Sequence, residues 1–478
     1  MPQSSIPVSR PGSILFLTQT AHPWGGVENW LEYLVPGLDK LGWNVTVGLV
    51  RGRRHHDPAE YLKIHPYRDT VEVPALTGTP EGRIRAIARA LHRTTPDVVV
   101  PVNVADTLEA VRRVKAAGQK IRILYPLHGD LPDYLLDVAK YNGCLDFAVA
   151  TNRRGHLALQ RVGGLAPERT AHVAYGAPPP LVSPKFNDSP SVLRLAYVGR
   201  LVQDQKRILD LPAVCHELDR RGLPYHLDIA GTGTEEPWLR EQLQSQVAAG
   251  RVVFHGFCSA EQLYQRIYPA LTALVLLSDW ETGPIVAWEA MRHGATVVTT
   301  RYRGLTMEGL LVPEVNSLVS AVGDPRGLAA NLARLAAEPA LLTRLRLAAF
   351  RTAQERCSIE ASVQGWHEAF TACLNSQIAM ELPPARQLPH NGRLDRVFGN
   401  RLAETLRNVF HRGILHESSG GEWPHSLSFG TPDCDQTAKQ LALLVESDSS
   451  APAPRSNGDS ATSLAAASGA AIGGSPDP

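Results

Sequence analysis

The chain is short of cysteine, of net charge and of long apolar runs. Its six cysteines, Cys144, Cys215, Cys258, Cys357, Cys373 and Cys434, are scattered through 478 residues without a CxxC pair or metal-ligand spacing. That excludes a disulfide framework and a zinc module, and it fits buried thiols in a reducing compartment. Forty-eight basic residues stand against 47 acidic ones, a formal charge of +1, which gives no support to a nucleic-acid partner. No apolar stretch approaches the ~18 residues that a membrane span needs. The opening MPQSSIPVSRPGS is polar and proline-broken, and the apolar run after it, ILFL, is four residues long, so no secretory signal is expected. A hydrophobic fraction of 44% with 20% charge is that of a globular protein. The simplest expectation is a cytoplasmic protein, with peripheral contact at the inner membrane face left open.

What is there is alternation. From residue 13 to about 177, short apolar runs that read as strands (Ile14–Thr18, Asn44–Val50, Asp97–Val102, Arg122–Leu127, Asp146–Thr151) are separated by amphipathic stretches such as Val27–Leu41, Gly82–Arg93 and Thr107–Ala117. This is the pattern of βαβ units and a parallel sheet. A proline-rich stretch, PPPLVSPKFNDSPS, interrupts it, and alternation restarts at Leu193–Val198. The expected organisation is an N-terminal domain over 1–177, a linker over 178–192, a second α/β domain over 193–357, and a helix at 358–375 returning to the first. An extension follows over 376–446, and a disordered tail rich in Ser, Ala, Gly and Pro over 447–478. Within the extension, residues 391–415 place Leu394, Val397, Phe398, Leu402, Leu406, Val409 and Phe410 at helical spacing, with Arg393, Arg396, Arg401, Arg407 and Arg412 on the other face. A basic amphipathic helix can lie on an anionic membrane. More commonly such a helix packs its apolar face on its own domain and keeps its arginines in water.

The most informative stretch is DWETGPIVAWEAM, in which Glu281 and Glu289 are separated by seven residues. Upstream, LTALVLL reads as a strand buried on both faces. Gly283 and Pro284 break it, and a helix can start there, with proline in a first-turn position. Glu281 then stands at the carboxyl end of a strand, where open α/β sheets place ligands. Glu289 lies about two turns into the helix, and the free N–H groups at the helix start can hold an anion. The set suits a ligand with hydroxyls at both ends and a phosphate in the middle, as in a nucleotide-sugar. A lone pair of glutamates at this spacing would be ordinary solvated residues; the strand–break–helix context argues otherwise. A second motif, GRLVQDQKR, puts Arg200 and Lys206 in a solvent-facing loop after the strand Leu195–Val198, where two cations can neutralise a diphosphate.

Together these motifs resemble glycosyltransferase family 4: retaining enzymes of the GT-B fold, an α/β architecture of two facing Rossmann-like domains with a cleft between them. The resemblance covers most of residues 13–374. It rests on GGVE (Gly25, Gly26), Gly199–Arg200 followed by Lys206, LDIAGTG, VVFHGF, and Glu281 to Glu289. It implies that Arg200 and Lys206 bind the donor diphosphate and stabilise the leaving nucleotide. It also implies that Glu289 accepts from the ribose hydroxyls, and that Glu281 meets the transferred sugar with the backbone of Gly283, Pro284 and Ile285. Gly25 and Gly26 would admit the donor closely, and His128, at the end of RILYPL, would contact the sugar near the reacting carbon. The implied partners are a nucleotide-sugar donor and a saccharide, lipid-linked or small-molecule acceptor, in a glycan or polysaccharide pathway, with no cofactor and no metal.

The chain departs from that pattern at Thr282, where glycine is usual, and at Ala174–Tyr175–Gly176 before the linker; Arg301, Tyr302, Arg303 and Glu308 match loosely. Asp433–Cys434–Asp435 imitates a metal-binding Asp-x-Asp but reads as accidental, and His55 and His56 need no role. Acceptor pockets are expected from loops 51–70 and 128–143. Competing readings are a sugar-nucleotide epimerase on the same scaffold and a binding protein that keeps the cleft without turnover.

Overall fold

The computed structural model describes residues 11–21, 25–186 and 191–448. The disordered tail expected at 447–478 lies, but for its first two residues, outside them. The first domain has seven parallel strands: β1 Ser13–Thr18, β2 Asn44–Arg51, β3 Thr70–Pro74, β4 Val98–Val102, β5 Arg122–Leu127, β6 Phe147–Ala150 and β7 Thr170–His172, in the order β3-β2-β1-β4-β5-β6-β7. The second has six: β8 Leu193–Val198, β9 Tyr225–Ala230, β10 Val252–Gly256, β11 Ala273–Leu276, β12 Thr296–Thr300 and β13 Ser317–Ser320, in the order β10-β9-β8-β11-β12-β13. Ladders such as Ile14–Val45 and Ala273–Thr296 are all parallel. The near-continuous apolar strands, β4 VVVPV and β11 ALVL, are buried along their whole length, as helices on both faces require.

Each sheet reverses its strand order once, between β1 and β4 and between β8 and β11. At such a switch point the loops leave in opposite directions and open a crevice at the strands' carboxyl ends. The chain crosses between domains twice, and the crossings lie side by side: the Ala177 N–H donates to the Cys357 carbonyl at 2.7 Å. Helix Ile359–Asn375 then returns to the first domain, burying Val363, Trp366 and Phe370 against Phe16 and Trp30. Strand β13 and the helix Pro339–Arg356 complete the second domain without having been expected.

The extension differs from expectation. It wraps the first domain, and helix Arg393–Val409 packs by its polar side. Asp395, Ala403, Glu404 and Arg407 are its buried residues, whereas Val397, Phe398, Leu402 and Val409 are exposed. The reason is electrostatic. Arg407 grips Asp395 through two bonds of 2.6 and 2.7 Å, and Glu404 accepts from the Thr77 and Thr79 hydroxyls at 2.8 and 2.5 Å. On a straight helix residues 395 and 407 would stand about 18 Å apart. Gly399, with φ 71° and ψ 159°, breaks the helix so that they meet, a positive φ that favours glycine.

Candidate active site

The residues expected to bind the donor are positioned by the two strands that flank the second switch point. Strand β8 ends at Val198 and delivers Gly199, whose φ of +152° lets the chain turn under Lys206. The Lys206 Cε lies 3.8 Å from where a Gly199 Cβ would stand. Strand β11 ends at Leu276 and delivers Ser278 and Glu281. These meet: Lys206 Nζ donates to Glu281 Oε1 at 2.7 Å and the Ser278 hydroxyl donates to the same oxygen at 2.5 Å. Glu281 is only 8% exposed. Lys206 is therefore not on an open loop, as its polar surroundings in sequence suggest, but is held in a part-buried ion pair. Arg200 stays exposed and donates to the Gln205 side-chain oxygen at 2.6 Å, while the Gln205 amide reaches the Trp280 carbonyl at 3.3 Å. Gln205 thus ties the two cleft loops together. The turn Gly231–Thr232–Gly233 also belongs here. A Cβ on Gly231 would collide with the Gly199 carbonyl, and Leu201 N–H donates to the Thr232 carbonyl at 2.9 Å.

Glu289 lies on helix Ile285–Arg292 and is 4% exposed. Its two oxygens accept from the Tyr264 hydroxyl at 2.7 Å and the Tyr268 hydroxyl at 2.9 Å. Burial pushes its carboxyl above the usual range, and the two hydroxyls oppose the shift. Each oxygen retains a lone pair for a further donor. Tyr264 and Tyr268 were missed by sequence reading; their spacing of four would have placed them together on one helix face.

The second domain's loop touches the first domain. Helix Gly26–Lys40 opens at Gly26, where a Cβ would stand 3.0 Å from Ile285 Cδ1. Gly283 has φ +94°, and the Thr151 carbonyl oxygen lies 3.5 Å from where its Cβ would stand. Asn152 donates to the Thr282 carbonyl at 3.3 Å and the Arg153 N–H to Glu308 at 2.8 Å. Gly26, Trp30, Tyr33, Ile285 and Glu289 line one cavity of about 180 Å³ between the domains. Gly25 precedes it in extended backbone and is exposed. Pro284 is the residue before helix Ile285–Arg292 begins, one place earlier than a first-turn position.

His128 ends β5. Its Nδ1 shares a 2.7 Å hydrogen bond with the Tyr175 hydroxyl, and its ring stands edge-on to Trp30 at 4.7 Å. Its Nε2 is buried without a hydrogen-bond partner among the described residues. Burial pushes the imidazole down to about 3, so it is neutral at pH 7. Tyr175, one of the departures noted above, connects this histidine to the loop that carries Gly283: its Cδ2 is 4.0 Å from the Cβ position of Gly283.

The extension supplies a wall that sequence reading missed. The Glu422 carboxylate accepts from the backbone N–H groups of Arg53, Arg54 and His55 at 3.1, 2.7 and 3.0 Å. The Trp423 carbonyl accepts from Gln19 at 2.8 Å, and the Pro424 carbonyl from Ala105 N–H at 3.1 Å. His425 shares with His128, Asn103 and Tyr134 a residual cavity of about 10 Å³, room for one water at most. His55 and His56, expected to be idle, bond the carbonyls of His416 and Ser419 at 3.1 and 3.3 Å. Asp433–Cys434–Asp435 opens helix Asp433–Asp448, and no group that could hold a metal ion is present among the described residues. No helix among them is long and apolar enough to cross a membrane.

Residues 193–338 match the family described as glycosyl transferases group 1. Over 223 residues the chain is 28% identical to lipopolysaccharide 1,6-galactosyltransferase of Salmonella typhimurium, covering 44% of this chain and 57% of that protein. It is 31% identical over 199 residues to glycogen synthase of Mycobacterium tuberculosis, covering 41% of this chain and 45% of that protein. The chain thus spans about half the length of the curated relatives it matches. Among solved structures, the Anabaena protein HepE in complex with UDP superposes with a TM-score of 0.60 at 18% identity, covering 75% of this chain and all of that one. At such identity the likeness shows the fold, and the fold is GT-B.

Proposed function

We propose that the chain is a retaining glycosyltransferase of family 4, moving a hexose from a nucleotide-sugar to a saccharide or lipid-linked acceptor, without a metal or an organic cofactor. The observation that carries this reading is the meeting of Lys206 and Glu281 at 2.7 Å on the second switch point. An ammonium has three N–H donors, and Glu281 uses one of them. The others, with Arg200, can hold a diphosphate. Glycosyl–phosphate cleavage places positive charge on the sugar ring and negative charge on the departing diphosphate. Fixed cations aimed at the second charge lower the barrier because they need no reorganisation as it develops. Glu281 then serves the sugar hydroxyls and Glu289 the ribose. The acceptor oxygen attacks the anomeric carbon on the face the nucleotide leaves. The C–O bond to phosphate breaks, and the acceptor's proton passes to the departing phosphate.

UDP is the nucleotide we favour, because the solved relative with the TM-score of 0.60 carries it. His128, neutral and with a free Nε2, is placed to contact the transferred sugar. The first domain, narrowed by the extension, takes the acceptor. The test is nucleotide release and product analysis with UDP-, GDP- and ADP-sugars, after a thermal-shift screen. A donor at one hundred times its dissociation constant should stabilise by about 2.7 kcal/mol. An isomerised nucleotide-sugar formed without acceptor would favour the epimerase reading, and binding without turnover of any donor would favour a non-catalytic one.

A further inference from the structure

We propose that the kinked segment running from Arg393 through Leu415 is a docking face for an anionic lipid bilayer. Deepening the reading above, it presents the acceptor side of the cleft to a lipid-linked acceptor. The segment is inverted relative to an ordinary surface helix. Its polar residues Asp395, Glu404 and Arg407 are turned inward and hydrogen-bonded. Its large apolar residues are turned out: Val397 is 72% exposed, Phe398 49%, Leu402 51%, Val409 66%, Phe410 67% and Leu415 65%. A face of this composition is not left in water without a partner that covers it.

Charge identifies the partner. The only acids between 391 and 415 are Asp395 and Glu404, and both are consumed against the protein. Arg393, Arg396, Arg401 and Arg412 are exposed, and among the described residues none has a carboxylate within ion-pair distance. Four outward cations with no outward acid contrast with a whole-chain charge of +1. Apolar side chains flanked by unpaired arginines match a bilayer interface, where the rings and aliphatic groups enter the acyl boundary and the guanidinium heads reach anionic headgroups. The position is also suitable. Ten residues join Leu415 to His425, which lies beside His128, so the docking face is at most about 35 Å of chain from the acceptor side.

The experiment is sedimentation of the full chain with vesicles of phosphatidylcholine alone and with about 30% phosphatidylglycerol. The expected result is binding at least about tenfold stronger to the anionic vesicles, weakened at about 1 M salt where the screening length is about 3 Å. Phe398→Glu with Phe410→Glu, and separately Arg396→Glu with Arg401→Glu, should each lower that binding about tenfold. Melting temperature and nucleotide release with a soluble acceptor should not change, because these side chains touch no part of the site. Equal binding to neutral and anionic vesicles, no vesicle binding, or native-like binding by both variants overturns the proposal. So does a dimer in solution that Phe398→Glu with Phe410→Glu renders monomeric without vesicle binding, since the face would then join two copies of this chain. Vesicle binding without nucleotide release would count against the enzyme reading instead, and turnover without vesicle binding against this one.

Discussion

The two sides of the cleft, to which the proposal above assigns the donor and the acceptor, are built in different ways. The donor side is assembled from loops that directly follow their own strands: Gly199–Lys206 after β8 and Ser278–Glu281 after β11, joined by Gln205 and the Lys206–Glu281 pair. The acceptor side is assembled from chain far apart in sequence. Gln19, at the end of β1, donates to the carbonyl of Trp423, 404 residues away, and Glu422 fixes the loop after β2 through three backbone N–H groups. A site made by sheet topology needs only local sequence. A site made by a wrapping segment needs the whole chain, and under the proposed function that segment is where acceptor choice can diverge while the donor chemistry stays in place.

The sharpest way to break the comparison is Trp423→Ala. The ring is fully buried in the first domain's core, and its removal should cost about 3–5 kcal/mol in denaturant unfolding. Hydrogen exchange should locate the loss in the first domain and leave β8 to β13 protected; a uniform loss would deny that the extension belongs to one lobe. Next is Lys206→Ala, expected to lower nucleotide release about a hundredfold, or about 3 kcal/mol. It should also lower stability, since Glu281 would be left buried with Ser278 alone. Wild-type turnover would remove Lys206 from the site. Smaller again is Glu422→Gln. A neutral amide oxygen cannot replace a carboxylate accepting three N–H bonds, and the expected cost is about 1–3 kcal/mol. Amide exchange should rise at Arg53–His55 and the acceptor KM should increase, with donor hydrolysis unchanged.

The same contrast explains what was legible in the sequence. The alternation of strands and helices that builds most of both sheets could be read from local periodicity, and Lys206 and Glu281 could be placed near one another because each follows a strand at the second switch point, where position follows from topology. Tyr264 and Tyr268 were hidden because nothing local says that two tyrosines will meet a glutamate 25 and 21 residues on. The inverted helix was hidden for a stronger reason. Periodicity finds an apolar stripe but cannot tell which side packs, and here Asp395, Glu404 and Arg407 decide it through partners outside the helix and across its break. His55 and His56 looked idle because their partners, the His416 and Ser419 carbonyls, lie more than 350 residues away.

The smallest effect concerns His128, the point at which the two sides meet. Its folded pKa, about 3, lies below the ~6.5 of a free imidazole. Between those values the unfolded chain binds a proton that the folded one does not. Stability from this group is therefore complete above about pH 6.5 and is lost as pH falls toward 3. Between pH 7 and 5.5 the loss should be about 1 kcal/mol. His128→Asn should flatten that part of the curve. His156 and His293, also held low by burial, titrate equally in both proteins and cancel in the difference. Identical pH curves for the two proteins would mean that His128 is solvated in the cleft, and the unpartnered Nε2 would then be no mark of a sugar subsite.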